Sequence, residues 1–413
     1  MGDLFTSFSL YLQENKNMRL TRRVIFDLPY KILRETYGRE FLRNNGIFFT
    51  GRNLAQRLIS RVGTIDRQWK VYDPAAGAGD LLVNYADCLP VGNTVEETVE
   101  AWGGSLFATE LEDDFVPLIK LRLLLLAYLK VKGNILINGV HIASARRCFR
   151  HIIQGDYMKS SVPADLILVN PPFNCIVITE KFSWGTGKMS NAAYFMYNLE
   201  QRYHDATIAA ILPDVIRSGS RYNRLRQALP RFSFGKETPV GRFDKFTDVD
   251  VFIAVARTSA CMDVQQKICR NNICIGDVFN VCVGSVVPYR DPVAGDEHFY
   301  LKARNVETGK EKRSFIEKIK SFHKPVEGPF ITIKRTSSPS DKVRCAASLI
   351  ASRELFHLDN HLIIIKAKGD MSLSGYRAIA RYLNGKECTR FLNRAIRCRH
   401  LTVSIIKQIP IKV

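Results

Sequence analysis

The chain has 413 residues, 46% hydrophobic and 24% charged, a globular balance with room for two domains that excludes a disordered or fibrous chain. Its net charge of +20 points to a polyanionic partner, nucleic acid above all. The excess is uneven: residues 257–413 hold 28 Lys and Arg against 14 Asp and Glu, and residues 1–256 hold 32 against 26.

The ten cysteines include no Cys-x-x-Cys pair, and the spacings of Cys261, Cys269, Cys274 and Cys282 match no common zinc pattern. They read as reduced, mostly core thiols of a cytoplasmic protein. The N-terminus is polar and charged, unlike a signal peptide.

In chain order, residues 1–45 read as a polar helical arm or cap. Trp69–Asp73 is a strand and Asp80–Ala86 opens a helix. Ser105–Glu110 is a strand and Asp113–Lys130 a long helix. The apolar part of that helix, Val116–Val131, is too short to span a bilayer and carries Lys120, Arg122 and Lys130, so a core position is expected. Strands follow at Cys148–Gln154 and Asp165–Val169, a helix at Asn191–Tyr203, a strand at Thr207–Leu212, a helix at Arg221–Leu229 and a last strand at Val249–Ala256. Strands alternating with helices predict an α/β, doubly wound, mostly parallel sheet over residues 46–257. After residue 257 the pattern changes to short β-like runs (Val281–Val287, Pro329–Lys334, His361–Lys366), basic loops, and helices at Ser374–Asn384 and Thr389–Ala395. An α+β domain over 258–413 is expected.

The chemistry gathers at strand ends. Asp73-Pro74-Ala75-Ala76-Gly77-Ala78-Gly79-Asp80 joins the first strand to its helix, and glycines there let a ligand approach the backbone. The loop lacks the full dinucleotide or P-loop pattern. Glu110 ends the second strand, where a carboxylate can accept two ribose hydroxyls, and Leu111 can cover an adenine face. Asp156 ends the third strand and can accept an adenine amino hydrogen. Asn170-Pro171-Pro172-Phe173 follows the fourth. Two prolines cannot extend a strand, so this is a rigid turn at the carboxyl end of the sheet, where open α/β sheets bind ligands. It offers an amide, a proline carbonyl and an aromatic face, groups that suit a flat base with an exocyclic amine. A strand-ending turn without function is the plain alternative for the tetrapeptide alone.

The order Gly46-Ile47-Phe48-Phe49-Thr50, Asp73–Asp80, Glu110, Asp156 and Asn170–Phe173, followed by a basic tail, resembles the gamma-class adenine-N6 DNA methyltransferases of restriction–modification systems. The resemblance implies a Rossmann-like class I methyltransferase domain and a C-terminal target recognition domain. S-adenosylmethionine is the implied cofactor, held by Phe48, Thr50, Asp73, Ala75, Gly77, Gly79, Glu110, Leu111, Asp156 and Asn170. Catalysis falls to Asn170, Pro171, Pro172 and Phe173, with Phe173 and Phe246 holding a flipped adenine in double-stranded DNA. Two departures stand out: Gly51 replaces the proline common after the threonine, and the stretch between Leu81 and Trp102 is longer than usual. Among the basic residues of the tail, Lys334, Arg335, Lys342, Arg344, Arg397 and Arg399 are the expected DNA contacts. A separate restriction endonuclease as partner is left open. So are three rival readings: an RNA guanine-N2 methyltransferase, a protein-glutamine methyltransferase and a silent DNA-binding specificity subunit.

Overall fold

The computed structural model describes residues 4–35, 50–63, 66, 68–234, 239–243, 249–257, 273–397 and 399–411. They gather into two compact units, one of Met1–Arg217 with Asn223–Val264, the other of Ser218–Tyr222 with Gln265–Val413.

The first unit is built on strands β1 (Val71–Asp73), β2 (Leu106–Glu110), β3 (Ile152–Gln154), β4 (Leu166–Val169), β7 (Thr207–Pro213), β8 (Pro239–Arg242) and β9 (Asp250–Ala256). A separate hairpin, β5 (Cys175–Phe182) with β6 (Gly185–Ser190), was not foreseen. The sheet order is β3-β2-β1-β4-β7-β9-β8. The pairs from β3 to β7 are parallel, and β9 runs antiparallel to both its neighbours. The chain winds outward from β1 to β3 and then returns to β4, so the winding reverses between β1 and β4. Crevices form outside the carboxyl ends of strands at such a reversal. The central strands are continuous apolar runs because helices cover the sheet. Helices Gly51–Val62, Asp80–Cys88 and Phe115–Lys132 share one core with β1, β2 and β4.

The N-terminal segment, expected as a polar helical arm or cap, is not polar throughout. Helices Leu4–Glu14 and Arg22–Phe26 pack on helix Phe115–Lys132, and Phe5, Phe8, Leu12, Val24, Ile25 and Phe26 join that same core. Phe5, Phe8 and Leu12 recur at helical spacing, a stripe that the charged residues around it obscured. The long stretch after Leu81 also has a structural account. It holds a helix, Val95–Ser105, whose N-cap Thr94 accepts from the Glu97 amide. Its Trp102 is buried and donates to the Pro90 carbonyl at 2.9 Å.

The second unit holds a five-stranded sheet of β10 (Phe279–Val283), β12 (Glu311–Lys312), β15 (Phe330–Lys334), β16 (Ala347–Ile350) and β18 (Leu362–Ala367), in the order β10-β18-β15-β16-β12. A four-stranded sheet joins β11 (Asp296–Leu301), β13 (Lys318–Ser321), β14 (Val326–Glu327) and β17 (Leu355–Leu358) in the order β13-β11-β17-β14. Ile331, Ile333, Ile363 and Ile365 enter one core with helices Leu373–Leu383 and Lys386–Ala395. Phe330, Leu362 and Ile364 enter another with Phe356. This is the period-two alternation of strands buried on both faces. The cysteines depart from expectation: of the seven described, only Cys345 and Cys388 are buried, and Cys88, Cys175 and Cys282 are exposed. Their scatter over helices and strands gave no periodicity from which burial could be judged.

Candidate cofactor and catalytic site

Strand register assembles the site. Asp73 of β1 lies opposite Ala108 of β2, so Glu110 projects two residues further along the same edge. Glu110 in turn lies opposite Gln154 of β3, with Asp156 two residues beyond. Leu166 and Ile167 of β4 pair with Val71 and Tyr72, which carries Asn170 past the end of β1. Four parallel strands thus deliver Asp73, Glu110, Asp156 and Asn170 to one edge, around a cavity of about 310 Å³ that they line. That size suits a small-molecule pocket.

Thr50, Ala75, Gly77 and Leu111 also line this cavity, as does Pro172. Gly77 has φ +52, and a Cβ built there would meet nothing within 4 Å. Its backbone is therefore open to the pocket, and its amide donates to Glu110 Oε2 at 2.6 Å. Gly79 is absent from the lining, and a Cβ there would lie 2.8 Å from Ile119 Cγ2. This glycine serves close packing of the loop on helix Phe115–Lys132, at a φ of +86 that also favours glycine. Pro171 is buried and, like Phe173, lies outside the cavity lining. Phe173 is half-buried and meets Phe243 edge-on, ring centroids 5.4 Å apart. Phe48 and Phe246 fall outside the described residues.

Asn170 is oriented from its nitrogen end: Nδ2 donates to Thr50 Oγ1 at 3.1 Å. The next residue, Gly51, donates its amide to Asp80 Oδ2 at 3.0 Å. Asp80 Oδ1 accepts from Arg122 Nη1 at 3.0 Å, and both side chains are buried. Arg122 also donates to the carbonyls of Ile25 and Ala78. A buried ion pair with further hydrogen bonds thus ties the glycine loop, the N-terminal segment and the start of helix Gly51–Val62 together. The sequence marks Arg122 only as a charge that a membrane helix would not carry; its pairing joins residues 42 positions apart and has no local signal.

The pocket is acidic. Burial pushes the Asp73 carboxyl up to about 8, against the pull of the Ala75 amide, and neighbouring Glu110 adds to the rise. Burial also raises Glu110, although the Glu112 and Gly77 amides oppose it. Buried carboxylates with weak internal compensation favour a cationic ligand. Asp156 accepts from the Met158 amide at 2.9 Å and still lines the cavity. Sequence reading missed Asn191, Tyr194 and Phe195, which line the pocket from helix Asn191–Arg202. Their i, i+3, i+4 spacing places them on one helix face. The hairpin makes this possible: Asn191 donates its amide to the Asn174 carbonyl and its Nδ2 to Asn174 Oδ1, at 2.9 and 3.0 Å. The helix therefore starts beside the Asn-Pro-Pro-Phe turn.

In the second unit Arg344 is a correction. It is buried, and its guanidinium donates to Ser337 and to the Ile396 carbonyl, so it does not face a phosphate backbone. Lys334, Arg335 and Arg397 are half-buried, and Lys342 and Arg399 are exposed.

Among curated proteins none matches the chain. Solved structures similar to it include a modification subunit of a putative type I restriction enzyme from Vibrio vulnificus YJ016, 19% identical over 56% of this chain and 50% of that one, with a TM-score of 0.37. The type IIL restriction–modification enzyme MmeI, solved with DNA, is 12% identical over 98% of this chain and 70% of that one, with a TM-score of 0.46. The type IIG restriction endonuclease BpuSI is 13% identical over 94% and 60%, with a TM-score of 0.42. The chain spans half the length of the first of these. The family model of the N-6 DNA methylases matches residues 23–229, half of the chain. That span runs from the N-terminal segment on the core through the glycine loop, Glu110, Asp156 and Asn170–Phe173, on the mostly parallel α/β sheet, and the chain belongs to the N-6 DNA methylase family.

Proposed function

We propose that this chain methylates the N6 amine of an adenine flipped out of duplex DNA, as the modification component of a restriction–modification system. The observation that carries the reading is the Asn170 amide at the reversal point of the sheet, its nitrogen held by Thr50 and its group lining the acidic cavity. The residues present fit S-adenosylmethionine: Gly77 leaves an open backbone cradle, Glu110 stands at the strand end where a ribose is held, and Asp73 favours a cation. When bound, that cofactor supplies a methyl group already activated by a positive sulfur.

Thr50, Asp73, Ala75 and Gly77 would hold the methionine end, Glu110 the ribose, and Leu111 and Asp156 the adenine. Adenine N6 is a weak nucleophile because its lone pair is delocalised into the ring. With Nδ2 committed to Thr50, the Asn170 Oδ1 end of the amide is the acceptor for one N6 hydrogen, and the Pro171 carbonyl is the acceptor for the other. Two acceptors favour a pyramidal nitrogen with its lone pair free to attack. The proton leaves after attack, so no strong base is needed. Positioning and preorganised acceptors supply the rate. Phe173 offers a stacking face to a base that cannot react inside the duplex. The second unit would read the target through its basic loops.

The test is sequencing-based detection of modified bases in DNA exposed to the protein and S-adenosylmethionine. N6-methyladenine in a fixed context is expected. For Asn170→Ala, DNA binding is retained and transfer falls by ~10²–10³, the scale of losing one preorganised group. Near-normal turnover of that variant would sink the mechanism.

A further inference from the structure

Of the described Phe, Tyr and Trp side chains, only Tyr289 (109% exposed) and Phe322 (78%) stand largely open to solvent. They lie 33 residues apart in sequence, yet on two adjoining loops of the second unit. Asp291 and His323, two residues after Tyr289 and one after Phe322, meet at 2.9 Å. Asp291 also accepts from the Val287 amide at 2.7 Å, which closes the Tyr289 loop on itself. The loops touch through backbone as well: a Cβ at Gly295 would lie 2.5 Å from the Ser321 carbonyl, so only glycine lets them come this close. Tyr289 has a φ of +64, a conformation bulky residues rarely adopt.

Cations flank both tips. Arg290 follows Tyr289 and Lys324 lies two residues after Phe322; both are exposed. Lys318 and Lys320 on β13 are exposed too. Of the nearby acids, Asp291 is engaged by His323 and Glu297 lies across the strands from Lys320, while Asp296 heads β11. The surrounding chain, residues 257–413, carries twice as many basic as acidic residues. The two aromatic tips, with Val293 also exposed on the Tyr289 loop, are followed in sequence by exposed cations. They suit a polyanion with stacked flat groups.

We propose that Tyr289 and Phe322 form a two-tipped wedge that inserts between base steps of duplex DNA, with Arg290 and Lys324 holding the adjacent phosphates. The inference rests on the DNA-directed reading above and adds the residues that deform the target. Insertion unstacks a step and kinks the duplex, which makes binding sensitive to the sequence deformed. The clamp between the loops presets the tips, so little ordering is needed on binding.

The experiment compares Tyr289→Ser, Phe322→Ser and the double variant with the parent protein. The probe is a fluorescent duplex bearing the context found by methylation mapping, titrated across salt concentrations. Because the side chains are exposed, thermal midpoints and S-adenosylmethionine binding stay unchanged. Affinity falls about tenfold for each aromatic lost, the salt slope is unaltered, and DNA bending measured by energy transfer decreases. Phe322→Trp retains binding. Arg290→Gln and Lys324→Gln instead flatten the salt slope by about one each. Parental affinity and bending in the double variant overturn the wedge. So does a concentration-dependent self-association that the double variant loses while DNA binding stays intact, since that marks a protein interface. If mapping finds no modified base, a mixed-sequence duplex pool serves as probe. The methyl-transfer reading then falls, while the wedge stands or falls on its own affinities.

Discussion

The amide of Asn170 donates to the hydroxyl of Thr50 at 3.1 Å, although 120 residues separate the two in sequence. The bond orients the amide, and in the proposed mechanism its oxygen end accepts a substrate hydrogen. Thr50→Val keeps the shape and removes the acceptor. A single-turnover rate about fivefold lower is expected, since a lost hydrogen bond of about 1 kcal/mol lets the amide rotate. Cofactor affinity should change less than the rate. Rapid-quench methyl transfer and equilibrium binding measure the two, and an unchanged rate would remove Thr50 from the mechanism.

Asp80 and Arg122 form a buried pair beneath the same site. Asp80→Ala leaves the Arg122 charge uncompensated, which costs on the order of 3–5 kcal/mol. Replacing both, as Asp80→Leu with Arg122→Met, should recover much of that loss because no charge remains buried. Urea denaturation of the single and double variants gives the comparison. If the double variant is as unstable as the sum of the single changes, the pair is not the unit of stability here.

Asp73 sets a pH dependence. Its carboxyl rises from the ordinary 3.8 to about 8 on folding. Between those values the folded chain holds a proton that the unfolded chain has lost. The contribution of Asp73 to stability is therefore fully present below the lower value and lost as pH rises through the upper one. A cationic ligand pulls the carboxyl back down. Binding of S-adenosylmethionine at about pH 7 should thus release close to one proton, and at about pH 9 almost none. Calorimetry in buffers of different ionisation enthalpy reads this directly. Asp73→Asn should abolish the release; its persistence would point to another group.

Arg344 and Lys342 are near neighbours in sequence with opposite surroundings. Arg344 is buried on Ser337 and Ile396, and Lys342 is exposed. Arg344→Ala should lower the thermal midpoint of the second unit by leaving buried acceptors unmade, with no change in the salt slope of DNA binding. Lys342→Ala should leave the midpoint alone and reduce that slope by about one. A flattened slope in Arg344→Ala with unchanged stability would reverse the assignment.

Local chemistry made much of the first unit legible. Strands β1, β2, β4, β7 and β9 are short apolar runs between turn signals, and Asp73, Glu110 and Asn170 stand at or one position past the ends of β1, β2 and β4. Asn170-Pro171-Pro172-Phe173 announces a turn wherever it stands, because proline cannot donate to a ladder. In the second unit the sequence shows no sign of β12, β14 and β16, nor of β11, β13 and β17. The last three alternate with charged and polar residues and gain stability from packing against each other, which no window of sequence contains.

The sequence by itself determined the alternating α/β order, the glycine loop, the strand-end acids and the Asn-Pro-Pro-Phe turn, because each arises from neighbours along the chain. Tertiary structure alone decided that Thr50 orients Asn170, that Arg122 and Arg344 are interior braces, that Gly79 faces Ile119, and that the exposed Tyr289 and Phe322 lie on loops that meet. These depend on partners dozens of residues away. Burial and pairing belong to the packed chain, and an arginine or an aromatic ring carries no local mark of which side of the surface it will occupy.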